Sequence, residues 1–259
     1  MRRLFSLAHV VRYDECDCDG LLTPAAFLRY MQDIAARDAE DARLEGDGFW
    51  VVKRTVMEFA AQVTVHTPLE LRTFGLGFTR ITAQRGYEVR AARSLEGKAV
   101  EEALLSARTL WVYVDPRGRP ARLPERTAQI WLPDETLAPS AEAAFPPVPT
   151  SEPVIAQHRV GFSHIDLARH LNNASAVEML DDAAWEALAG AGITPDTHRF
   201  AARSYDIEYV DSPRFGDELL VQTWFEPFPT ASETFFRTQQ IVRAGKVMVR
   251  ARSRWSRSV

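Results

Sequence analysis

An internal repeat is the feature that most constrains the fold of this 259-residue chain. Asp17 and Asp166 lie 149 positions apart, and the same spacing relates Leu21 to His170. Each half reads as a strand, an irregular connection, a long helix and four further strands. A chain that repeats such a unit is expected to form two similar domains, which replace the two subunits of a symmetric homodimer.

The first half contains one helix pattern among several strand patterns. Thr23-Pro24 predicts a helix start, with Thr as N-cap and Pro at the first helical position, and apolar residues spaced by three and four extend the helix over 24–44. Gly75 and Gly77 predict a bend or bulge, and Glu96-Gly97 predicts a hairpin turn. The predicted strands are 7–13, 50–65, 71–82, 84–95 and 100–114.

The second half repeats this order after a change of composition. Nine of the fifteen prolines fall within 116–155, which predicts a linker on the surface. A helix is expected over 174–190, and the predicted strands are 155–162, 200–210, 218–227, 232–243 and 246–256.

A long helix followed by a strongly twisted antiparallel sheet indicates a sheet wrapped around its helix, which is the hotdog fold. The predicted fold class is therefore α+β, a double (tandem) hotdog of two antiparallel sheets, each wrapped around a long helix. The expected domains are an N-terminal hotdog (1–115), a proline-rich linker (116–155) and a C-terminal hotdog (156–259).

Composition narrows the setting in which the protein works. The net charge of −4 disfavours nucleic-acid binding, and no apolar run reaches the ~18 residues of a membrane span. The first residues lack the apolar core of a signal peptide. Cys16 and Cys18 stand too close on a strand for an unstrained disulfide, so a reduced, cytoplasmic location is expected. The acidic stretch 14–19 has no matching Cys or His cluster, so no metal site is expected.

Six segments carry a resemblance to a known family. They are Arg12-Tyr13…Asp17-x-x-Gly20, Trp50–Arg54, Leu110–Asp115, Arg119-Pro120…Leu123-Pro124, Asp166-x-x-x-His170-Leu171-Asn172-Asn173 and Ile207–Asp217. In order and spacing they resemble the acyl-acyl-carrier-protein thioesterases, tandem hotdog enzymes of fatty-acid synthesis. The resemblance covers nearly the whole chain. It implies a thioester hydrolase that releases a fatty acid from acyl carrier protein without a cofactor.

Two positions depart from the pattern of that family. Ala168 stands where the family has an Asn, and Ser212 stands where it has a Glu, with Asp211 beside it. The family divides catalysis among Asn, His and a carboxylate. The resemblance therefore implies Asp166 and His170 as the catalytic residues, with Asp211 as a possible third member.

Thioester hydrolysis needs an activated water and donors for the developing oxyanion. Asp166 could act as the base or orient His170, and His170 could hold water or protonate the leaving thiol. Backbone N–H groups at 171–174 could polarise the carbonyl at the helix start. Asn172 and Asn173 are expected beside the substrate, with Asn173 as the N-cap. A plain turn or cap pair is the alternative for Asp166 and His170.

The first connection keeps Asp17 but has Leu21 in place of a histidine. Asp17 could form a second site, although a relic or structural role is favoured. In the first helix Phe27, Met31 and Ile34 are candidates for an acyl pocket, with core packing as the alternative.

Arg250, Arg252 and Arg254 fall on one face of the last predicted strand. Arg250 and Arg252 are predicted to bind an acidic carrier protein or a phosphopantetheine phosphate, and a solvated face is the alternative. Other functions stay open: hydrolysis of acyl-CoA or a polyketide-type thioester, and non-catalytic acyl binding. A homodimer of tandem hotdogs is also left open.

Overall fold

Each half of the chain folds into five antiparallel strands and one long helix. The computed structural model describes residues 3–44, 46–92, 102–132, 141–230 and 232–257. The first set of elements is β1 (Leu4–Val10), α1 (Pro24–Asp41), β2 (Phe49–Phe59), β3 (Pro68–Phe78), β4 (Thr82–Ala91) and β5 (Leu105–Val114). A short helix, α2 (Thr127–Trp131), follows. The second set is β6 (Val154–Arg159), α3 (Asn173–Ala189), β7 (Phe200–Tyr209), β8 (Glu218–Glu226), β9 (Thr234–Arg243) and β10 (Lys246–Arg257).

The strand order confirms the repeat. The first five strands neighbour one another in the order β1-β3-β4-β5-β2, and the second five in the order β6-β8-β9-β10-β7. Each strand therefore has a counterpart in the same place of the other half. The chain forms two compact units, one of residues 1–22 and 29–144, the other of residues 23–28 and 145–259. The domain boundaries placed at 115 and 155 stay predictions.

Local sequence signals explain the ends of the elements. The Thr23 hydroxyl accepts a hydrogen bond from the Ala26 N–H at 3.1 Å, which caps α1 as expected. The register of β3 against β4 shifts between Gly75 and Gly77, which confirms the predicted bulge. The predicted turn at 96–97 and the end of the strand predicted over 84–95 lie outside the described residues.

A buried carboxylate organises the core of the first unit. Asp38 on α1 is fully buried and accepts hydrogen bonds from Arg3 Nε at 2.8 Å, Arg85 Nη1 at 2.5 Å and Trp131 Nε1 at 2.6 Å. Two arginines and an indole N–H satisfy a charge that could not otherwise be buried. These bonds join α1 to β1, β4 and α2.

The segment predicted as a linker is more structured than its prolines suggested. Trp131 of α2 is buried, and the Glu142 carboxylate accepts hydrogen bonds from Gln84 at 2.8 Å and Arg108 at 3.1 Å. The prediction of a surface linker over 116–155 is therefore wrong for these parts. A buried indole and a paired carboxylate hold them against the first unit, which a proline count does not reveal.

The second unit has an equivalent arrangement around α3, which packs against β6, β8 and β9. Gln239 Nε2 donates to the Leu180 carbonyl at 2.7 Å, and the Tyr205 hydroxyl donates to Asp181 at 2.8 Å. Arg237 donates to the same carboxylate. These bonds fix the helix against the strands, and so they fix the direction of its N-terminus. In the described part of the chain, no helix combines the length and apolarity needed to cross a membrane.

Candidate active site

The connection between β6 and α3 is a tight loop built around Asp166. The Asp166 N–H donates to the His170 carbonyl at 3.0 Å, and the Arg169 N–H donates back to the Asp166 carbonyl at 2.9 Å. The Asp166 carboxylate accepts a hydrogen bond from the Ala168 N–H at 2.9 Å. A backbone group thus holds this side chain in place, and no side chain at position 168 is needed to form the loop.

The connection before α1 has the same hydrogen-bond pattern. The Asp17 N–H donates to the Leu21 carbonyl at 2.8 Å, and the Gly20 N–H donates to the Asp17 carbonyl at 3.0 Å. The Asp17 carboxylate accepts from the Asp19 N–H at 3.0 Å. Burial raises the pKa of Asp17, and the hydrogen bonds from the Leu21 and Asp19 N–H groups offset only part of that rise. The backbone repeat is therefore exact to the residue, while the side chains differ.

Two of the four N–H groups expected to polarise a carbonyl are already occupied at the start of the helix. The Leu171 N–H donates to the Pro213 carbonyl at 2.7 Å, and the Asn172 N–H donates to the His164 carbonyl at 2.8 Å. Neither group is available to a substrate. The first bond also brings the segment after β7 beside the Asp166 loop.

Asn172 is the N-cap of α3, so the prediction of Asn173 in this role is wrong. Asn172 Oδ1 accepts a hydrogen bond from the Ala174 N–H at 2.9 Å, which occupies a third N–H. Its Nδ2 lies 3.5 Å from Asp166 Oδ2. Within the described residues, the Asn173 N–H is the one of the four that no protein acceptor takes up. Since it opens the helix, it is the natural donor for an anion at this end.

The first connection lacks this donor. The counterpart of Asn173, 149 positions earlier, is Pro24, which has no N–H. The histidine position is Leu21. Thus only the second connection combines a carboxylate, a histidine and an unoccupied N–H at a helix start.

His164 is a titratable group in the loop to which the sequence analysis assigned no role. The Gly161 N–H donates to His164 Nδ1 at 2.9 Å, so the proton of the neutral ring is on Nε2. Its counterpart is Glu15, whose carboxylate accepts from the Arg12 N–H at 2.7 Å. The internal repeat could have identified His164 from the sequence, because both halves have a titratable side chain at this position.

Glu15 also binds Tyr30. Burial by itself would raise the pKa of Glu15, but hydrogen bonds from the Tyr30 hydroxyl at 2.6 Å, the Arg12 N–H and His9 lower it overall. Burial and the neighbouring carboxylate together raise the pKa of Tyr30. This cluster is a structural feature of the first connection.

Asp211 lies at the surface, and its Oδ1 accepts a hydrogen bond from the Ser212 N–H at 2.7 Å. Among the described residues, no hydrogen bond joins Asp211 to Asp166 or His170, and none joins the side chains of Asp166 and His170. The catalytic roles of these three residues stay predictions.

The arginines of β10 share one face but do not form an uncompensated positive stripe. Arg250 Nη1 lies 3.6 Å from the carboxylate of Glu208 on β7. The Arg252 guanidinium lies 4.9 Å from the centre of the Phe236 ring. Of Arg250, Arg252 and Arg254, only Arg254 is exposed. The role of Arg250 and Arg252 in binding a carrier protein or a phosphopantetheine phosphate stays a prediction.

The first unit contains a largely apolar cavity of about 260 Å³. Its walls include small residues of α1 and four aromatic side chains: Ala35, Ala36, Ala39, Trp50, Phe78, Trp111 and Trp131. The residues suggested for a pocket, Phe27, Met31 and Ile34, are buried in the core and do not line this cavity. The space comes from the alanines, whose small side chains leave room under the strands.

The thiols of Cys16 and Cys18 are free. Over the described ranges, no group of three or more His, Cys, Asp or Glu side chains is placed to hold a metal ion.

Comparisons with known proteins show what part of the sequence and the fold resemble. The thioesterase superfamily model matches residues 168–227, which begin in the Asp166 loop and run through α3 to the end of β8. No curated protein sequence matches the chain.

Solved structures match over almost the whole length. A Lactobacillus plantarum protein assigned as an oleoyl thioesterase has a TM-score of 0.82 at 16% identity, covering 100% of this chain and 98% of that one. An acyl-ACP thioesterase from Bacteroides thetaiotaomicron matches with a TM-score of 0.75 at 20% identity. The 12:0-ACP thioesterase of Umbellularia californica matches with a TM-score of 0.78 at 16% identity. Each match covers 98% of both chains. The predicted α+β double hotdog is confirmed. Residues 168–227 thus carry thioesterase-superfamily sequence, and the whole chain has the tandem hotdog fold of the acyl-ACP thioesterases.

Proposed function

We propose that this protein hydrolyses acyl thioesters and releases a fatty acid from acyl-acyl-carrier protein, with water activated in the Asp166–His170 loop. The observation that carries the proposal is the free Asn173 N–H at the start of the helix that follows this loop. The fold shared with acyl-ACP thioesterases and the superfamily match to residues 168–227 support it. A reduced, cytoplasmic location fits the free thiols but is a prediction.

The reaction divides among three groups of the loop. Asp166 takes a proton from water, directly or through His170, and the water oxygen attacks the thioester carbonyl carbon. The Asn173 N–H donates to the oxygen that becomes negative. The C–S bond then breaks, the proton passes from Asp166 to the leaving sulfur by way of His170, and the products are a carboxylic acid and a thiol. Asp211 is the candidate for a third catalytic residue.

Fatty acyl chains bind in apolar sites. The cavity of the first unit is such a site, because most of its wall is aromatic ring and alanine methyl. We propose that a free fatty acid binds there. A free fatty acid should then raise the melting temperature of the protein, since a ligand that binds only the folded state stabilises it.

Ala168 and Ser212 favour a second candidate, a non-catalytic acyl-binding protein. Both stand where the resembled enzymes have functional side chains. Such a protein would bind fatty acid in the cavity and release no thiol.

Thiol release from a panel of acyl-carrier and acyl-CoA thioesters separates these functions. The wild type should release thiol, while Asp166→Asn and His170→Ala should each lose most of the rate. Preference for carrier-linked over CoA-linked substrate would distinguish an acyl-ACP enzyme from an acyl-CoA or polyketide thioesterase. No release from any substrate contradicts hydrolysis, and full activity in both variants contradicts the site.

A further inference from the structure

Large apolar side chains surround the proposed catalytic loop and point into solvent. Phe162 is 82% exposed, Leu167 is fully exposed and Phe215 is 63% exposed. The segment of Phe215 lies beside the loop, because the Gly216 N–H donates to the Val160 carbonyl at 2.9 Å. Exposed apolar side chains that gather around one loop mark an interaction site more often than a solvated surface.

Two arginines accompany these side chains. Arg169 and Arg214 are exposed, and neither lies within ion-pair distance of a carboxylate in the described part of the chain. Arg169 adopts φ +61°, where the first connection has Gly20 at φ +75°. A side chain disfavours this backbone conformation, so the arginine at 169 is locally unfavourable. We call Phe162, Leu167, Phe215, Arg169 and Arg214 the apolar–basic surface.

The first connection is an internal comparison, because its backbone hydrogen bonds are the same. It has Cys18 in place of Leu167 and Gly20 in place of Arg169. Residues 12–21 contain four carboxylates and one arginine, whereas residues 161–170 contain one carboxylate, one arginine and two histidines. An acidic partner would be repelled by the first loop and accepted by the second.

We propose that the apolar–basic surface docks the acidic carrier protein that delivers the acyl thioester to the Asp166 loop. This proposal rests on the proposed function. The apolar side chains supply a contact that excludes water, and the exposed arginines meet carboxylates of the partner. The β10 arginines fit this role less well, since Arg250 already faces Glu208.

The test uses Arg214→Glu and Phe215→Ala, which lie outside the catalytic loop. Hydrolysis of an acyl-carrier thioester is compared with hydrolysis of the N-acetylcysteamine thioester of the same acyl group. Each variant should raise KM for the carrier-linked substrate by roughly tenfold and leave kinetics on the small thioester unchanged. Arg117→Glu, the same charge change in an exposed turn of the first unit, is the control and should change neither.

Equal effects on both substrates, or no effect on either, would overturn the docking surface while hydrolysis by the wild type upholds the proposed function. If the wild type hydrolyses neither substrate, the proposed function fails, and fluorescence anisotropy of a labelled holo-carrier protein decides the docking. Binding unchanged by Arg214→Glu would overturn it. The docking proposal would also be overturned if the variants lost only their binding to anionic phosphatidylglycerol vesicles. It would be overturned as well if they lost only self-association, measured by analytical sedimentation.

Discussion

Replacing Asn173 with proline should remove activity and leave the fold intact. Proline is favoured at the first position of a helix, and Asn172 has φ −61° and ψ 142°, a conformation that suits the residue before proline. The chain already has proline at the equivalent Pro24. The substitution therefore deletes one backbone N–H with little other change.

The expected loss follows from the role of that N–H. Removing one oxyanion donor lowers kcat by about a hundredfold to a thousandfold, or roughly 3–4 kcal/mol of transition-state stabilisation. Proline at a compatible position changes the free energy of unfolding by only about 0.4–1 kcal/mol, in the stabilising direction. Thiol release measured with a thiol-reactive dye, together with thermal unfolding, separates the two quantities.

Asn173→Ala is the matched control, because it removes the side chain and keeps the N–H. It should retain most of the activity if the backbone group is the donor. Equal activity in the proline and alanine variants, both well folded, would refute the assignment of the Asn173 N–H to the oxyanion.

Three further predictions concern stability and the cavity. Asp38→Ala should lower the free energy of unfolding in urea by about 3–5 kcal/mol, because it removes the buried carboxylate that pairs with the largely buried Arg85, whereas the exposed Asp41→Ala should cost less than about 1 kcal/mol. Tyr30→Phe should lower the free energy of unfolding by about 1.5–3 kcal/mol at pH 7. Because the stability that comes from the lowered pKa of Glu15 is lost as the pH falls, this loss should become smaller below pH 4.5, the ordinary pKa of Glu. An equal loss at pH 7 and at pH 3 would contradict the coupling of Tyr30 to Glu15. Ala35→Leu narrows the cavity and should reduce the rise in melting temperature caused by a fatty acid; an unchanged rise would place the ligand elsewhere.

Much of the fold could be predicted from the sequence because local signals and the repeat agree. Thr23-Pro24 marked the start of α1, and Gly75 and Gly77 marked the bulge in β3. The prolines of 116–155 led to the wrong prediction of a surface linker, because Trp131 is buried by contacts with residues far away in the sequence.

The sequence could indicate the segment of the candidate site but not the hydrogen-bond partners of its groups. The family resemblance implies Asp166 and His170 as catalytic residues, and the structure places them in one loop. Which N–H stays unoccupied depends on long-range partners such as Pro213, whose carbonyl takes up the Leu171 donor. Spacing within one segment cannot reveal such bonds.

The central claim is that acyl thioesters are hydrolysed at the second of two equivalent loops. Thiol release from an acyl-carrier thioester by Asp17→Asn and Asp166→Asn tests it most directly, because the two substitutions are chemically identical and fall at matched positions. The account predicts wild-type rates for Asp17→Asn and near-complete loss for Asp166→Asn, with both variants folded. Loss in Asp17→Asn with activity kept in Asp166→Asn would contradict it.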